Sequence, residues 1–392
     1  MKVAILTGGK DRHYVGGLVR HLAANGVEVA VAGGAEEMMA VGSGYERVVL
    51  HDLVGDQHRD AGWLAKITRV MRYYVRLLIF AARTDAKLFH ILWFRKFPQV
   101  ERILVPLYLK ALGKTILFTA HNVDDRARDG RRGGLVYVSS LRFLYRVVDH
   151  VFVHTASMKQ ELERDFGMAA DRVTVVPLGI NDVIPIGSTT SAIAREKLGL
   201  DADARVLLFF GNIAPYKGVE DLIRAVAALT RDDDRYIALI VGPVKDRSCI
   251  EYSRALERLV TTLRVRGRVR QEARYVRDDE AGLFFRAADV CVLPYHRVYQ
   301  SGVLSLSYAQ GVPVIAADVG SMKDDVVEGE TGFVFKAGDW RDLAGTISTY
   351  FASELFKDLE MKRAAITAHG AERFSWATNA QRTCAAYEAC LR

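Results

Sequence analysis

The sequence predicts an α/β protein made of two doubly wound, parallel-sheet domains of similar size. Three observations carry that prediction. Short apolar runs alternate with amphipathic helical stretches from MKVAIL to VTVVPLG, residues 1–179. A break at about 182–191, carrying Pro185, Gly187 and a small polar run, interrupts the rhythm, which restarts at RVLLFFG. The length of 392 residues suits two domains. The expected division is 1–181, then 182–375, with a C-terminal helix at 376–392 packing back toward the first domain.

In the first half, MKVAIL reads as a buried strand and VGGLVRHLAANG as a helix with a Gly stop. VEVAVAG, KLFHILWF, KTILFTAH, HVFVHT and VTVVPLG follow as short strands. Strands buried on both faces lack alternation, which is the mark of a parallel sheet covered by helices. In the second half, RVLLFFG, YIALIVG, DVCVLP, PVIAA and GFVF read as strands. VEDLIRAVAAL, EYSRALERLVTTLRVRG, AGLFFRAAD and the tail WATNAQRTCAAYEACLR read as helices. YVRDDE, residues 275–280, is taken as a further strand. In QSGVLSLSYAQG, Ser301 caps a short helix and Gly311 stops it.

Half the residues are hydrophobic and 26% are charged, an ordinary globular balance. Cys249, Cys291, Cys384 and Cys390 form no CxxC pair, and this points to a reducing, cytoplasmic compartment. The opening apolar run is too short for a signal peptide, and no run approaches the ~18 residues that span a bilayer. The formal charge of +7 is uneven: residues 59–150 hold 18 Lys/Arg against 7 Asp/Glu, a net of +11. A basic half implies an anionic partner. No nucleic-acid-binding module is recognisable, so nucleic acid is set aside.

Open α/β sheets bind ligands at the C-terminal ends of their strands, so the candidates lie just after strands, facing a cleft. In FFGNIAPYKGVEDLIRA, Gly211, Asn212 and Lys217 span a strand–helix loop. A lysine at a helix start suits a diphosphate, although a surface lysine gives the same pattern. Gln300, Ser301, Gly302 and Val303 offer amides and a hydroxyl at a helix start, or simply an ordinary cap. His121 follows a strand in TAHNVDD; it either meets a polar ligand or is a satisfied structural histidine. His154 in VFVHT is similarly set. Gly16 and Gly17 are read as opening a helix to an approaching ligand. GWLAKITRVMRYYVRLLIFAA, 62–82, spaces Trp63, Ile67, Val70, Met71, Tyr74, Leu77, Leu78 and Ala81 along one side, with Lys66, Arg69, Arg72 and Arg76 flanking. That pattern fits an anionic membrane surface or a core helix with a basic solvated face. HExxH and GxSxG are absent, DDD at 232–234 reads as a solvated turn after a helix, and the first loop matches neither GxGxxG nor a P-loop.

The set resembles family 4 glycosyltransferases, retaining nucleotide-sugar enzymes of GT-B architecture with two Rossmann-like domains facing a cleft. The resemblance rests on GG at 16–17, TAHN at 119–122, VFVHTASMKQEL at 151–162 and VTVVPLGIN at 173–181. In the second domain it rests on GNIAPYKGVEDLIRA, RYVRDDEAGLFFRAADVCVLPY and SGVLSLSYAQGVPVIAADVGSMKDDVVEGETGFVF. It covers nearly the whole chain. It implies metal-independent transfer from a UDP- or GDP-sugar to a glycan or lipid-linked acceptor at the inner face of the plasma membrane, with no cofactor. It also implies roles. Lys217 and the amides of Ser301, Gly302 and Val303 would steady the leaving diphosphate, and His121 would orient donor hydroxyls. Tyr275, Val276 and Arg277 would meet the base, and Gly16, Gly17, Asn122 and Arg126 the acceptor. Two departures stand out. Val298 and Leu306 occupy the places of two family glutamates, the second of which grips ribose, and the Lys217 loop carries no arginine. A sugar-nucleotide epimerase and a non-catalytic sugar-nucleotide-binding protein are the competing readings.

Overall fold

The computed structural model describes residues 1–9, 11–42, 44–55, 63–129, 133–180 and 189–392. The chain forms two compact units. The first comprises Met1–Asp125, Arg132–Gly179 and Ser375–Arg392; the second comprises Arg126–Arg131 and Ile180–Phe374. The expected 182–191 break falls mostly outside the described residues.

The first unit is built on strands β1 (Lys2–Leu6), β2 (Glu28–Gly33), β3 (Val48–Asp52), β4 (Leu88–Ile91), β5 (Thr115–Thr119), β6 (His150–Val153) and β7 (Val173–Val175). They pair in the order β3-β2-β1-β4-β5-β6-β7, every pair parallel, with Val3 opposite Val29 on one side and Leu88 on the other. Strands β4 and β6 are buried throughout, which is why their sequences are apolar without alternation. The edge strand β3 exposes Val49 and Leu50 and escaped the sequence reading.

The second unit holds β8 (Arg205–Phe210), β9 (Tyr236–Val241), β10 (Val269–Glu272), β11 (Val290–Leu293), β12 (Val314–Ala317) and β13 (Gly332–Phe335), in the order β10-β9-β8-β11-β12-β13, again all parallel. One sequence expectation is corrected here. YVRDDE is not a strand: the edge strand is VRQE at 269–272, and Tyr275–Arg277 form the loop before the helix Asp278–Ala287. Three acids in that helix's first turn favour its positive end and prevent a sheet run. Helices Trp340–Ala352 and Leu359–Arg373 were likewise not read from the sequence.

In both sheets the strand order reverses at one point, at β1 against β4 and at β8 against β11. The loops leaving these strands therefore diverge and open a crevice above the sheet. The tail helix Trp376–Leu391 belongs to the first unit. Ser375 caps it by accepting from the Thr378 N–H (3.2 Å), and Asn379 Nδ2 donates to the Pro177 carbonyl (2.5 Å).

The helix Trp63–Arg83 buries Tyr73, Leu77, Phe80 and Ala81 and turns Trp63, Ile67, Met71, Val75 and Leu78 outward. The expected single apolar stripe is thus two: Leu77 and Ala81 are core, whereas Ile67, Met71 and Leu78 face solvent. The helix Pro98–Ala111 lies alongside, joined by a hydrogen bond from Tyr108 Oη to the Leu78 carbonyl (3.0 Å). Its neighbourhood exposes Phe97, Val100, Leu104 and Leu107 at the same helical spacing. Among the described residues, no helix is long and apolar enough to cross a membrane.

Candidate active site

In the second unit, the loops after the neighbouring strands β8 and β11 are locked together. The loop after β8 ends in a tight turn, Pro215–Lys217, and Gly218 then caps the helix Val219–Leu229 with φ of 61°. A side chain at 218 would be doubly excluded: the left-handed backbone disfavours it, and a Cβ would lie 1.9 Å from the Pro294 carbonyl oxygen. The backbone of the β8 loop therefore rests on the segment leaving β11. The His296 N–H completes the seam by donating to the Tyr216 carbonyl (2.9 Å).

This seam holds Lys217. Its Nζ lies 3.6 Å from the ring centre of Tyr295, which is fully buried. A cation over an aromatic face is attracted by the ring's negative charge and loses side-chain freedom. His296 is fixed from the other side by a 2.8 Å hydrogen bond to the buried Asp221 carboxylate, and this contact raises the His296 pKa against the opposing effect of burial. Tyr295, His296 and Asp221 were missed in the sequence. Only their place directly after a strand, or in the first turn of the next helix, marked them.

The helix Gly302–Ala309 begins beside the same seam, since a Cβ on Gly211 would meet Val303 Cγ2 at 3.3 Å. Ser301 is its cap, as expected, and its Oγ accepts from the Leu304 N–H at 3.3 Å. Its hydroxyl oxygen is thus engaged in capping. Among the described residues, no hydrogen bond engages the N–H groups of Gly302 and Val303. Helix-start amides and a fixed ammonium of this kind suit an anion. Leu306 is buried in the core, and the Val298 carbonyl sits where a Cβ on Gly320 would come within 2.2 Å.

The structure thus brings Gly211, Lys217, Ser301, Gly302 and Val303 to one place, with Asn212 exposed in the same loop. Tyr275, Val276 and Arg277 stand apart, following the edge strand β10, two strands from β8. Tyr275 and Arg277 are exposed, Arg277 pairs with Asp279 (2.7 Å), and Val276 is buried.

In the first unit, an aromatic cage surrounds His121 at the end of β5. Trp93 stacks on it with ring centres 3.9 Å apart and planes 3° from parallel. Tyr14 meets it edge-on at 4.6 Å. His154, at the end of β6, places Nε2 3.2 Å from His121 Nδ1. His154 is buried, which lowers its pKa to about 4. Below this cage, His90 bridges Tyr387 Oη (2.6 Å) and Thr119 Oγ1 (2.7 Å), and its pKa is also lowered by burial, to about 3. Trp93, Tyr14 and His90 went unread because nothing local distinguishes them from core residues.

Two expected positions differ. Asp11 caps the first helix, accepting from the N–H groups of His13 (3.1 Å) and Tyr14 (3.0 Å), so the helix starts at Arg12. Gly16 and Gly17 do not open it; they lie in its second turn and are buried. A Cβ on Gly16 would meet the Ala40 carbonyl at 2.5 Å, and one on Gly17 the Trp376 ring at 2.2 Å. These glycines admit close protein neighbours. Asn122 donates to Asp125 Oδ1 (2.9 Å). Arg126 lies in the segment that groups with the second unit, where Asp129 pairs with Lys245 (2.5 Å).

Residues 12–183 match the model of Glycosyltransferase Family 4, and residues 204–353 that of Glycosyl transferases group 1. The chain is 32% identical over 251 residues to a D-inositol 3-phosphate glycosyltransferase of Streptomyces scabiei, covering 63% of this chain and 55% of that protein. It is 30% identical over 269 residues to the protein of that name from Streptosporangium roseum, covering 68% and 60%. The chain spans little more than half the length of these curated relatives. Among solved structures, it is similar to Anabaena Alr3699/HepE in complex with UDP, with a TM-score of 0.74, 17% identity and coverage of 99% and 100%. Sucrose-phosphate synthase from Thermosynechococcus elongatus gives a TM-score of 0.74 at 20% identity, covering 100% and 99%.

Proposed function

Because the chain belongs to glycosyltransferase family 4 and has the GT-B fold, we propose that it moves a sugar from a nucleoside diphosphate sugar to a glycan or lipid-linked acceptor. The observation that carries this reading is Lys217, held over Tyr295 beside the start of the helix Gly302–Ala309. Breaking the bond between the sugar and the diphosphate leaves growing negative charge on the diphosphate. A fixed ammonium and two aimed amides stabilise that charge without reorganising in the transition state. The reaction retains the anomeric configuration and draws the stabilising charge from protein groups, without a metal. His121 orients the sugar's hydroxyls, and Tyr275–Arg277 lie near the base. UDP is the first donor base to try, since HepE is solved with UDP; GDP is the second. The names of the relatives make a phosphorylated cyclitol a reasonable first acceptor probe.

The reading extends to the inner membrane face. Two adjacent helices turn apolar stripes outward, Trp63, Ile67, Met71, Val75 and Leu78 on one, Val100, Leu104 and Leu107 on the other. Arg69, Arg72 and Arg76 flank the first. Such a surface suits a peripheral protein at an anionic bilayer, where a lipid-linked acceptor would be met.

The deciding experiment is a thermal-shift panel of UDP, GDP and ADP with their sugars, followed by product analysis with acceptor present. A ligand that binds the native state raises its melting point. A shift without transfer to any acceptor favours the sugar-nucleotide-binding alternative, which the buried Leu306, in place of a ribose-gripping glutamate, supports.

A further inference from the structure

His121 and His154 leave adjacent parallel strands, β5 and β6, and meet side by side in the first unit. Their hydrogen bond raises the question of which nitrogen holds the proton. The answer begins one step away, at the backbone. His154 Nδ1 lies 3.2 Å from the Val176 carbonyl oxygen, an atom that only accepts, so Nδ1 carries a hydrogen. His154 is buried, and its ring neighbours are Tyr14 and His121, with no carboxylate among the contacts described. Burial without an acidic partner keeps an imidazole neutral, in accord with its pKa near 4. A neutral ring with hydrogen on Nδ1 has a bare Nε2, which can only accept. His121 Nδ1, 3.2 Å away, must then donate.

We propose that His154 is a positioning residue that fixes the tautomer of His121, holding a proton on Nδ1 and leaving Nε2 as the nitrogen whose protonation changes. The relay runs from His121 Nδ1–H to His154 Nε2, and from His154 Nδ1–H to the Val176 carbonyl. Stacking on Trp93 and the edge of Tyr14 hold the His121 ring in the plane this relay requires. In its neutral form, His121 thus presents an acceptor at Nε2, suited to a substrate hydroxyl donor. No substrate-facing donor exists on the ring until Nε2 is protonated. That His121 meets the donor sugar rests on the functional reading above; the tautomer does not.

The test uses the full chain labelled with 15N at histidine, read by long-range 1H–15N correlation above pH 7. The expected result is a protonated Nδ1 and a bare Nε2 for His121. His154→Leu removes the acceptor and shifts His121 toward a mixture of tautomers, while His154→Gln, whose amide oxygen reaches the position of Nε2 and accepts, keeps the wild-type pattern. In turnover, His154→Leu lowers kcat roughly 10- to 100-fold, the usual effect of losing an orienting partner, and His154→Gln restores most of it. A thermal melt checks that each variant folds; should His154→Leu fail, the wild-type spectrum alone decides. A wild-type His121 protonated on Nε2 overturns the proposal, as does a tautomer unmoved in a folded His154→Leu. The expected tautomer with unchanged kcat upholds the proton placement and overturns the part given to His121 at the sugar.

Discussion

The ammonium of Lys217 lies 3.6 Å from the centre of the Tyr295 ring, and this contact joins the loop after β8 to the segment after β11. A loop lysine is ordinarily free to swing. Here its position is set by a fully buried ring on the neighbouring strand's exit. The contact contributes on the order of 0.5–2 kcal/mol.

Lys217→Ala is expected to reduce kcat for donor turnover by about 10²–10³, the usual cost of removing one group that stabilises developing charge. Tyr295→Phe keeps the aromatic face and should retain most activity. Tyr295→Leu should lose activity and, as a core truncation, stability. Steady-state kinetics paired with urea unfolding separate the two effects. Full turnover in a folded Lys217→Ala protein rejects the site.

Gly218→Ala places a methyl where the Pro294 carbonyl already lies and forces a left-handed conformation on an L-residue. The backbone alone costs about 1–2 kcal/mol, and the collision adds to it. We expect a lower unfolding midpoint and loss of the nucleotide-induced thermal shift. Gly26→Ala shares the positive φ but has nothing within 4 Å of its Cβ, so it should show the backbone cost alone.

Acid should destabilise the first unit before its carboxylates protonate. Burial lowers the pKa of His154 and His150 to about 4 and of His90 to about 3, against an ordinary value of 6.5. The unfolded chain therefore binds these protons first, and stability rises with pH across this window. The contribution is complete above about 6.5 and is lost as pH falls toward 4. Chemical denaturation at pH 4.5 and 7.5 should show the drop, and His90→Gln should lessen it. His296 has the opposite sign. Its pKa is raised by Asp221, so its contribution is full below 6.5 and fades as pH rises through the raised value.

Vesicle flotation should distinguish the charged flank from the apolar stripes. With anionic vesicles, wild-type protein should float at low salt and retain partial binding at high salt, because apolar burial is not screened. Met71→Asp combined with Leu104→Asp should remove the salt-resistant fraction, since both side chains are exposed and neither supports the core. Binding that vanishes wholly in salt would leave only the basic flank as the attachment.

Much of the architecture was legible because burial on both faces forces long apolar runs into parallel strands. The strands from MKVAIL to VTVVPLG and from RVLLFFG to GFVF declare themselves in this way. The edge strands do not. VRQE at β10 and VVLHD at β3 face solvent, so hydrophobicity says little about them. Ser301 was legible as a cap because that chemistry is local, and Lys217 because a lysine and a glycine after a strand are local too.

What the sequence by itself determined is the list of parts: two runs of parallel strands, the capped helix at 302–309, and a lysine and a histidine each at a strand's end. Only the tertiary structure decided what those parts touch. It turned Gly16 and Gly17 into packing positions under Ala40 and Trp376, set Lys217 on Tyr295, and enclosed His121 between Trp93, Tyr14 and His154. The reason is physical. Capping and strand burial depend on neighbours a few residues away, whereas these contacts join helices and strand-exit segments far apart in the chain, which only the folded sheets and the helices packed on them bring together.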